Sequence, residues 1–428
     1  MGKSSYVLKG NVCYSKDQNT IVTYENQYLI CVDGISMGVF EKIPDIYTGL
    51  KVVDYTDKLI IPGLSDLHTH APQYAFRGLG MDHELLQWLE LKTFPEEAKY
   101  ADIEYAQKAY EIFADDMKTG ATTRAAIFAT IHVDSTILLM DLLEKTGIRA
   151  YVGKVNMDRN APEYLLETDA EQSIQNTLRW LERCEGRYER IHPIITPRFI
   201  PTCTDELMSR LSEIQQQYQL PMQSHLSENQ GEIAWVHELC PQAEFYGDAY
   251  ERTGMFGGDV PTIMAHCVSS EEAEIQRMKE RGVYVAHCPQ SNSNLSSGIA
   301  PVYHYLEQGM NVGLGSDIAG GSSFSILRAM TDAIQVSKLR WRLQSGEGET
   351  QKPLTAAQAF YMGTKGGGSF FGKVGSFEAG YEFDAVVLDD SNLRHPQPLS
   401  VAERLERLLY LANETHVIHK YVSGESIF

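Results

Sequence analysis

Two histidines stand two positions apart in the segment PGLSDLHTH, at the end of an apolar run. On a β-strand, side chains two positions apart project from the same face, so His68 and His70 can contact one bound ion. Imidazole nitrogen is a common ligand of zinc and related divalent metals. A packed, hydrogen-bonded pair on a strand is the alternative, and the two histidines alone do not decide between these interpretations.

Further ligand-type residues close three later apolar runs: His225 in PMQSHLSE, His266 in PTIMAHCV and Asp317 in NVGLGSDIAGG. Four imidazoles and a carboxylate that meet at one point form a metal site by residue type. A divalent cation lowers the pKa of a bound water from about 15.7 toward about 7, which yields hydroxide at neutral pH. The pattern therefore indicates metal-dependent hydrolysis, although Asp317 could alternatively cap the loop SDIAGG.

Glu228 follows His225 by three positions, where its carboxylate can carry protons between a water and a substrate. The alternative is an acidic residue at the start of a helix, a common place for one. His287 and Cys288, in the run VAHCPQSN, are predicted to shape the same rim rather than to bind the metal.

The elements that would bring these residues together are eight short apolar segments interleaved with amphipathic helices. This alternation of strands and helices predicts an α/β fold, a closed parallel (β/α)8 TIM barrel over residues 62–370, whose strand ends converge on one rim. The eight segments are LIIPGLSDLHTH, ATTRAAIFAT, RAYVGKVNM, RIHPIITPRF, PMQSHLSE, PTIMAHCV, VYVAHCPQSN and NVGLGSDIAGG. The β-rich residues 1–61 and 371–428 are predicted to pair into one small β-sandwich domain formed by both chain ends.

Three of the predicted helices have recognisable ends. The apolar spacing over residues 101–119 predicts a helix that ends at Gly120. Asp134 or Ser135 is predicted to cap the next helix, which should end near Gly147. Ser269-Ser-Glu-Glu272 matches a capping box and predicts the start of a third helix.

Composition restricts the class of partner. Lys and Arg number 37 and Asp and Glu 57, a formal net charge of -20 that disfavours binding to nucleic acid. No run approaches the roughly 20 apolar residues of a membrane span, and the segment MGKSSYVLKGNVCYS has no apolar signal core, so a cytoplasmic protein is expected. Seven dispersed cysteines predict reduced thiols. The acidic stretch Glu347–Glu349 is interpreted as a solvated loop.

The segments PGLSDLHTH, SHLSE, AHC and GLGSD, in this order, resemble the motif series of the amidohydrolase superfamily across nearly the whole chain. Within that superfamily, HTHAPQYAFRGLGMDHELLQWLELKTFP, TPRF, HLSEN and GSDIAGG resemble the members that deaminate guanine. The resemblance implies hydrolysis of guanine to xanthine and ammonia, in purine salvage or catabolism, by a homodimer. Deamination of another ring (cytosine, an adenine derivative or a triazine) and a catalytically silent scaffold remain the alternatives.

The resemblance also implies roles for individual residues. One metal, zinc or else iron, would be held by His68, His70, His225 and Asp317, and His266 would contact the metal-bound water. Lysine bridges two metals in many amidohydrolases, and its absence from RIHPIITPRF favours a single metal. Asp317 and Glu228 would transfer protons.

For the substrate, the resemblance assigns Gln73 and Arg198 to the polar edge of guanine and Phe199 to the ring, beside His225 and Glu228. An arginine fork matches a carbonyl oxygen and a ring nitrogen. A surface arginine, a core phenylalanine and a rim glutamine are the alternatives.

Overall fold

A computed structural model describes residues 5–344 and 352–428 of the chain, so Glu347–Glu349 lies outside the described residues. Strands and helices alternate through the middle of the chain, and strands dominate its two ends. The strands are β1 Tyr6–Asp17, β2 Thr20–Val32, β3 Ile35–Phe40, β4 Lys51–Pro62, β5 Leu64–His70, β6 Thr122–Phe128, β7 Arg149–Gly153, β8 Val155–Asn156, β9 Ile191–Pro193, β10 Thr196–Pro197, β11 Met222–Leu226, β12 Thr262–His266, β13 Tyr284–His287, β14 Asn311–Leu314, β15 Ala385–Leu388, β16 Val417–Val422 and β17 Glu425–Ser426.

The α-helices mostly follow single barrel strands, and several short ones lie at the rim. They are α1 Leu85–Trp88, α2 Phe94–Ala98, α3 Ile103–Thr119, α4 Val133–Thr146, α5 Ala170–Cys184, α6 Asp205–Tyr218, α7 Gln230–Leu239, α8 Tyr246–Glu251, α9 Glu272–Glu280, α10 Pro289–Asn294, α11 Val302–Glu307, α12 Ile326–Gln344, α13 Ala356–Tyr361 and α14 Val401–Leu411. A 3₁₀ helix, Ala71–Phe76, directly follows β5.

Strands β5 to β14 occupy the eight predicted strand positions, with the third and fourth each split in two. They form two parallel sheets, β5-β6-β7-β9 and β11-β12-β13-β14, and a two-stranded pair of β8 with β10. Backbone hydrogen bonds join the sheets at both seams. Ile195 donates to Pro221 O at 2.9 Å, and Asp317 N donates to His68 O at 2.8 Å. The predicted α/β barrel is confirmed.

The strands from the two chain ends share one sheet, in the order β17-β16-β15-β4-β1-β2-β3. Tyr6 and Tyr421 of this sheet pack with Phe377 and Phe383, from the segment before β15, in an aromatic cluster separate from the barrel core. Strand β4 runs into β5 through Gly63, so the sheet is continuous in sequence with the first barrel strand. The pairing of the chain ends is as predicted, and the boundaries at residues 61 and 371 stay a prediction.

Two of the predicted helix starts are wrong. Helix α4 begins after His132, because the Ser135 hydroxyl donates to the Tyr100 carbonyl and Asp134 lies inside the first turn. Helix α9 begins after Glu271 with no side-chain cap, because Ser269 N is hydrogen bonded to Ser227 O at 3.0 Å.

The predicted helix ends are confirmed where glycine marks them. Gly120 caps α3, and Gly147 follows α4 with a φ of 85°, a conformation that glycine adopts without the steric cost of a Cβ. The seven cysteines form no disulfide, in agreement with the predicted reduced thiols, and all of them are buried. Within residues 5–344 and 352–428, every helix is too short or too polar to cross a lipid bilayer.

Candidate metal and substrate site

Four ligand atoms converge at the carboxyl ends of three barrel strands. His68 Nε2 lies 3.2 Å from His70 Nε2, and His225 Nε2 lies 3.3 Å from His70 Nε2. Asp317 Oδ1 lies 3.2 Å from His68 Nε2 and 3.5 Å from His70 Nε2. A tetrahedral ion with bonds of about 2.0–2.1 Å separates its ligand atoms by about 3.3 Å. Four of the six pairwise distances among these atoms therefore match a single divalent metal, with His68, His70 and His225 as one close group and Asp317 next to His68 and His70.

The imidazoles are held in the neutral form that binds metal. Burial and the neighbouring imidazoles lower the pKa of His70 and of His225 well below the usual value. Burial alone would raise the pKa of Asp317, but the nearby His68, His266 and His70 outweigh it and hold that pKa well below its ordinary value. The site thus presents nitrogen lone pairs and one carboxylate, the donor set that zinc and iron accept.

Residues behind the ligands fix their orientation. His225 Nδ1 is hydrogen bonded to the Arg198 carbonyl at 2.6 Å, which turns its Nε2 to the site. The Asp66 carboxylate accepts from His68 N at 3.1 Å and from Ser316 N at 3.0 Å, so one buried side chain ties β5 to the loop that carries Asp317.

His266 stands beside the ligand cluster without belonging to its closest contacts. Its Nδ1 is 2.8 Å from Asn292 Oδ1, while its buried Nε2 has no hydrogen-bond partner in the described part of the chain. That Nε2 lies 3.7 Å from Asp317 Oδ2 and 3.4 Å from Glu228 Oε2. His266 and Asp317 both adopt a positive φ, 73° and 45°, a conformation that is uncommon outside glycine and recurs at functional sites.

Glu228 is buried and faces the same space. Its Oε1 accepts a hydrogen bond of 3.1 Å from Ser297 Oγ. Burial and the charge of Asp317 raise the pKa of Glu228 well above the usual value. The cap of helix α7 is Asn229 rather than Glu228, and Glu232 accepts from Glu228 N at 3.0 Å. This carboxyl group is therefore free of a capping role, and the raised pKa favours its protonated form.

The remaining predicted residues line one pocket above the ligand cluster. Gln73 Oε1 accepts from Ala319 N at 3.0 Å, and Arg198 extends from the loop after β10. The Phe199 ring meets the His225 ring edge to face, with centroids 6.4 Å apart. The lining residues are His70, Gln73, Leu85, Trp88, Leu89, Arg198, Phe199, His225, Glu228, Glu232, His266, Leu295 and Asp317. All the predicted site residues except His68 reach this pocket, and His68 lies beneath it in the ligand cluster.

Sequence reasoning missed three buried polar residues that support the site: Asp66, Glu97 and Asn292. Asp66 stands two positions before His68 on the same strand face, a signal like the one that identified His68 and His70. Glu97 and Asn292 lie in the short helices α2 and α10, which have no sequence pattern that gives such a signal. Cys288 lies within 4.8 Å of ligand atoms of His68, His266 and Asp317, but burial raises its pKa well above the usual value. A protonated thiol is a poor ligand, so its rim role stays a prediction.

Comparison with known proteins places this geometry in a family. A model described as the amidohydrolase family matches residues 59–427, and the chain belongs to that family. The guanine deaminase of Dictyostelium discoideum is 39% identical over 384 residues, covering 88% of this chain and 84% of that protein. The guanine deaminase of Escherichia coli K12 is 35% identical over 397 residues, covering 90% and 86%. Within the amidohydrolases, the chain is a member of the guanine deaminases.

A solved structure agrees with this assignment. The crystal structure of guanine deaminase from C. acetobutylicum, with bound guanine in the active site, superposes with a TM-score of 0.95. It is 46% identical to this chain, and the superposition covers 99% of this chain and all of that one.

Proposed function

We propose that the protein hydrolyses guanine to xanthine and ammonia at one divalent cation held by His68, His70, His225 and Asp317. One observation carries the proposal: the four ligand atoms lie 3.2–3.5 Å from their neighbours and open onto a buried pocket. Gln73 and Arg198 also line that pocket. The guanine bound to the similar deaminase of C. acetobutylicum supports the choice of substrate.

The cation proposed is zinc, with ferrous iron as the alternative, because three imidazoles and a carboxylate suit both ions. Such an ion, when bound, lowers the pKa of a water molecule and so supplies hydroxide at neutral pH. Measuring zinc and iron in purified protein distinguishes the two, with about one equivalent of a single metal expected.

Three side chains would handle the protons of the reaction. The Asp317 carboxylate accepts a proton from the attacking water, and His266 Nε2 hydrogen bonds the attacking oxygen as charge develops on it. Glu228 holds a proton and delivers it to the ring nitrogen beside C2. One water proton passes through Asp317 to the leaving ammonia, and the other returns to Glu228 in place of the proton delivered to ring nitrogen N3. The oxygen stays on C2 as the bond from C2 to the amino nitrogen breaks. The raised pKa of Glu228 supports this role.

The pocket residues that do not hold the cation would recognise the guanine ring. Arg198 and the Gln73 amide nitrogen offer hydrogen-bond donors, which match the acceptor edge of guanine formed by its carbonyl oxygen and ring nitrogen. Phe199 and the apolar side chains of Leu85 and Trp88 would pack around the base and exclude water.

The homodimer, the cytoplasmic location and the separate β domain of residues 1–61 and 371–428 are also proposed, on the resemblance to the family. Light scattering of the purified protein tests the first, with a mass of about twice 48.1 kDa expected.

Ultraviolet absorbance of guanine tests the reaction, with metal-replete protein and with adenine, cytosine and a triazine as parallel substrates. Guanine should be consumed with release of one ammonia, and the controls should be consumed far more slowly. Faster turnover of a control than of guanine identifies a deaminase of another ring. No turnover of any ring, with a full equivalent of metal bound, identifies a silent scaffold.

A further inference from the structure

We propose that Glu97 positions the two guanine-recognition side chains and thereby sets the preference of the pocket for a purine with an oxygen at position 6. This inference rests on the proposed function. Glu97 lies in α2 and is 1% exposed, but it does not line the pocket. It acts through Gln73 and Arg198, and it is a positioning residue rather than a catalytic one.

The geometry is a carboxylate shared between two side chains from distant parts of the sequence. Glu97 Oε1 accepts from Gln73 Nε2 at 2.8 Å, and Glu97 Oε2 accepts from Arg198 Nη1 at 2.6 Å. The Arg198 guanidinium also lies over the Phe94 ring, 5.3 Å from its centroid. Helix α2 therefore supplies both the ionic partner and an aromatic support for the arginine.

For Gln73, these contacts determine the orientation of the side-chain amide, that is, the positions of Oε1 and Nε2. Its Oε1 accepts from Ala319 N at 3.0 Å, and its Nε2 donates to Glu97. A flipped amide would bring oxygen against carboxylate and N–H against N–H, so the flip is disfavoured. One N–H of Gln73 is left over, and because Gln73 lines the pocket this hydrogen is available to a ligand.

For Arg198, the contact supplies the charge balance that a buried guanidinium needs. The Arg198 and Glu97 side chains are 3% and 1% exposed. A buried charge without a partner is costly, and a paired arginine keeps its other donors in a fixed plane. Gln73 and Arg198 together then present donors only. They complement O6 and N7 of guanine and oppose an amino group at position 6, which itself donates.

The test compares Glu97→Gln with Glu96→Gln, an identical change at the neighbouring residue. Glu96 is bonded to Lys99 Nζ at 2.6 Å and to Tyr105, outside the pocket. A glutamine at 97 has only one acceptor oxygen and directs N–H at one of its two donor partners. We expect Glu97→Gln to lower kcat/KM for guanine by about tenfold or more, mainly through KM, which corresponds to at least ~1.4 kcal/mol.

The preference for guanine over a second substrate is also measured, because a loss of activity that affects all substrates equally would leave this preference unchanged. The ratio of kcat/KM for guanine to that for 2-aminopurine, which lacks O6, should fall at least about fivefold in Glu97→Gln and stay constant in Glu96→Gln. An unchanged ratio in Glu97→Gln, with wild-type metal content and melting temperature, would overturn the proposal. If Glu97→Gln does not fold, Glu97→Asp, which keeps the charge but shortens its reach, is measured by the same ratio with the same criterion.

Failure of the proposed function is distinguishable from failure of this inference. If the wild-type protein does not convert guanine, the function is wrong, and equilibrium binding of guanine and 2-aminopurine to wild type, Glu96→Gln and Glu97→Gln tests Glu97 directly. Loss of the binding preference in Glu97→Gln alone supports the inference, and an equal preference in all three proteins overturns it.

Discussion

The carbonyl oxygen of Arg198 accepts a hydrogen bond of 2.6 Å from Nδ1 of His225. The backbone of a residue whose side chain faces the substrate pocket thus orients an imidazole of the ligand cluster. Donation from Nδ1 fixes the tautomer of His225 and leaves its Nε2 lone pair for the metal. Because the two roles of Arg198 use different atoms, they can be separated by mutation.

Replacing Arg198 with Ala should impair catalysis and leave the metal in place. The backbone carbonyl that orients His225 remains, whereas the donors to the ring are lost and Glu97 keeps only Gln73 as a partner. We expect kcat/KM for guanine to fall by about 1–3 kcal/mol in barrier terms, roughly 5- to 150-fold. Steady-state kinetics and metal analysis of the same preparation give kcat/KM for guanine and the metal content per chain.

Tyr218→Phe serves as the control for that variant, because Tyr218 is exposed and does not line the pocket. If Arg198→Ala loses metal as well as activity, then the role of the Arg198 side chain in substrate binding cannot be separated from the role of its carbonyl in orienting His225.

Chelation should remove activity and stability together. His68, His70 and Asp317 are buried and His225 is partly buried, and their ligand atoms lie together only in the folded chain, so the folded protein binds the ion and the unfolded chain does not hold the same site. A ligand present at about 100 times its dissociation constant stabilises the folded state by about 2.7 kcal/mol. Melting temperature and guanine turnover should both fall with a chelator, and both should return with added zinc or ferrous iron.

His68→Ala, which removes one ligand, should mimic the chelated protein and fail to recover when metal is added. If the chelator lowers the measured metal content of the protein while guanine turnover stays constant, the ion removed is not essential and the ligand assignment is wrong.

Much of the fold was predictable because its signals are local. The alternation of apolar segments with glycine-terminated helices identified all eight strand positions, and the β-rich chain ends identified the second sheet. The helix starts at Asp134 and Ser269 were not predictable, because each depends on a tertiary contact: the Ser135 hydroxyl binds Tyr100 O, and Ser269 N binds Ser227 O. A capping motif in the sequence describes only hydrogen bonds between neighbouring residues, and it does not show whether a distant partner will take the capping side chain instead.

The candidate site was predictable where the residue type and the strand end coincide. His68, His225 and Asp317 each end an apolar run, so their convergence follows from the barrel itself. Glu97 and Asn292 were missed because their importance comes from partners about 100 and 26 positions away, Arg198 and His266. No spacing rule in a single sequence encodes such contacts.

Alkaline pH should stabilise the protein through Lys420. Its Nζ lies 2.7, 2.8 and 3.0 Å from the carbonyl oxygens of Met117, Gly120 and Thr122, and burial lowers its pKa to about 7. An unfolded lysine has a pKa of about 10.4, so between these values the unfolded chain binds the extra proton. The contribution of Lys420 to stability is therefore complete above about pH 10.4 and is lost as the pH falls toward 7.

Urea denaturation of wild type and Lys420→Met at pH 7, 8 and 9 checks this dependence. The stability advantage of wild type should widen with pH, by at most about 1.4 kcal/mol per unit. Lys108→Met, at an exposed position of α3, should show no such trend. A constant difference between wild type and Lys420→Met would mean that Lys420 stays charged in the folded protein over this range.

Asp384→Asn should destabilise the junction between the barrel and the chain-end sheet without affecting the chemistry. The Asp384 carboxylate accepts hydrogen bonds from Arg124 Nε at 2.6 Å and from Arg124 Nη2 at 2.9 Å, and both side chains are almost fully buried. Removing one member of a buried pair leaves an uncompensated charge and costs about 3–5 kcal/mol, although Glu382, 3.2 Å from Arg124, offsets part of it.

The control is Asp54→Asn, since Asp54 pairs with Lys9 at 3.6 Å on the surface, where solvent screens such a pair and leaves it little effect on stability. Melting temperature should fall by several degrees in Asp384→Asn and hardly at all in Asp54→Asn. Because Arg124 lies near the start of β6, away from the strand ends that carry the ligands, kcat at 25 °C should match wild type in both variants. A selective loss of kcat in Asp384→Asn, at full metal content, would show that the junction also controls the geometry of the site.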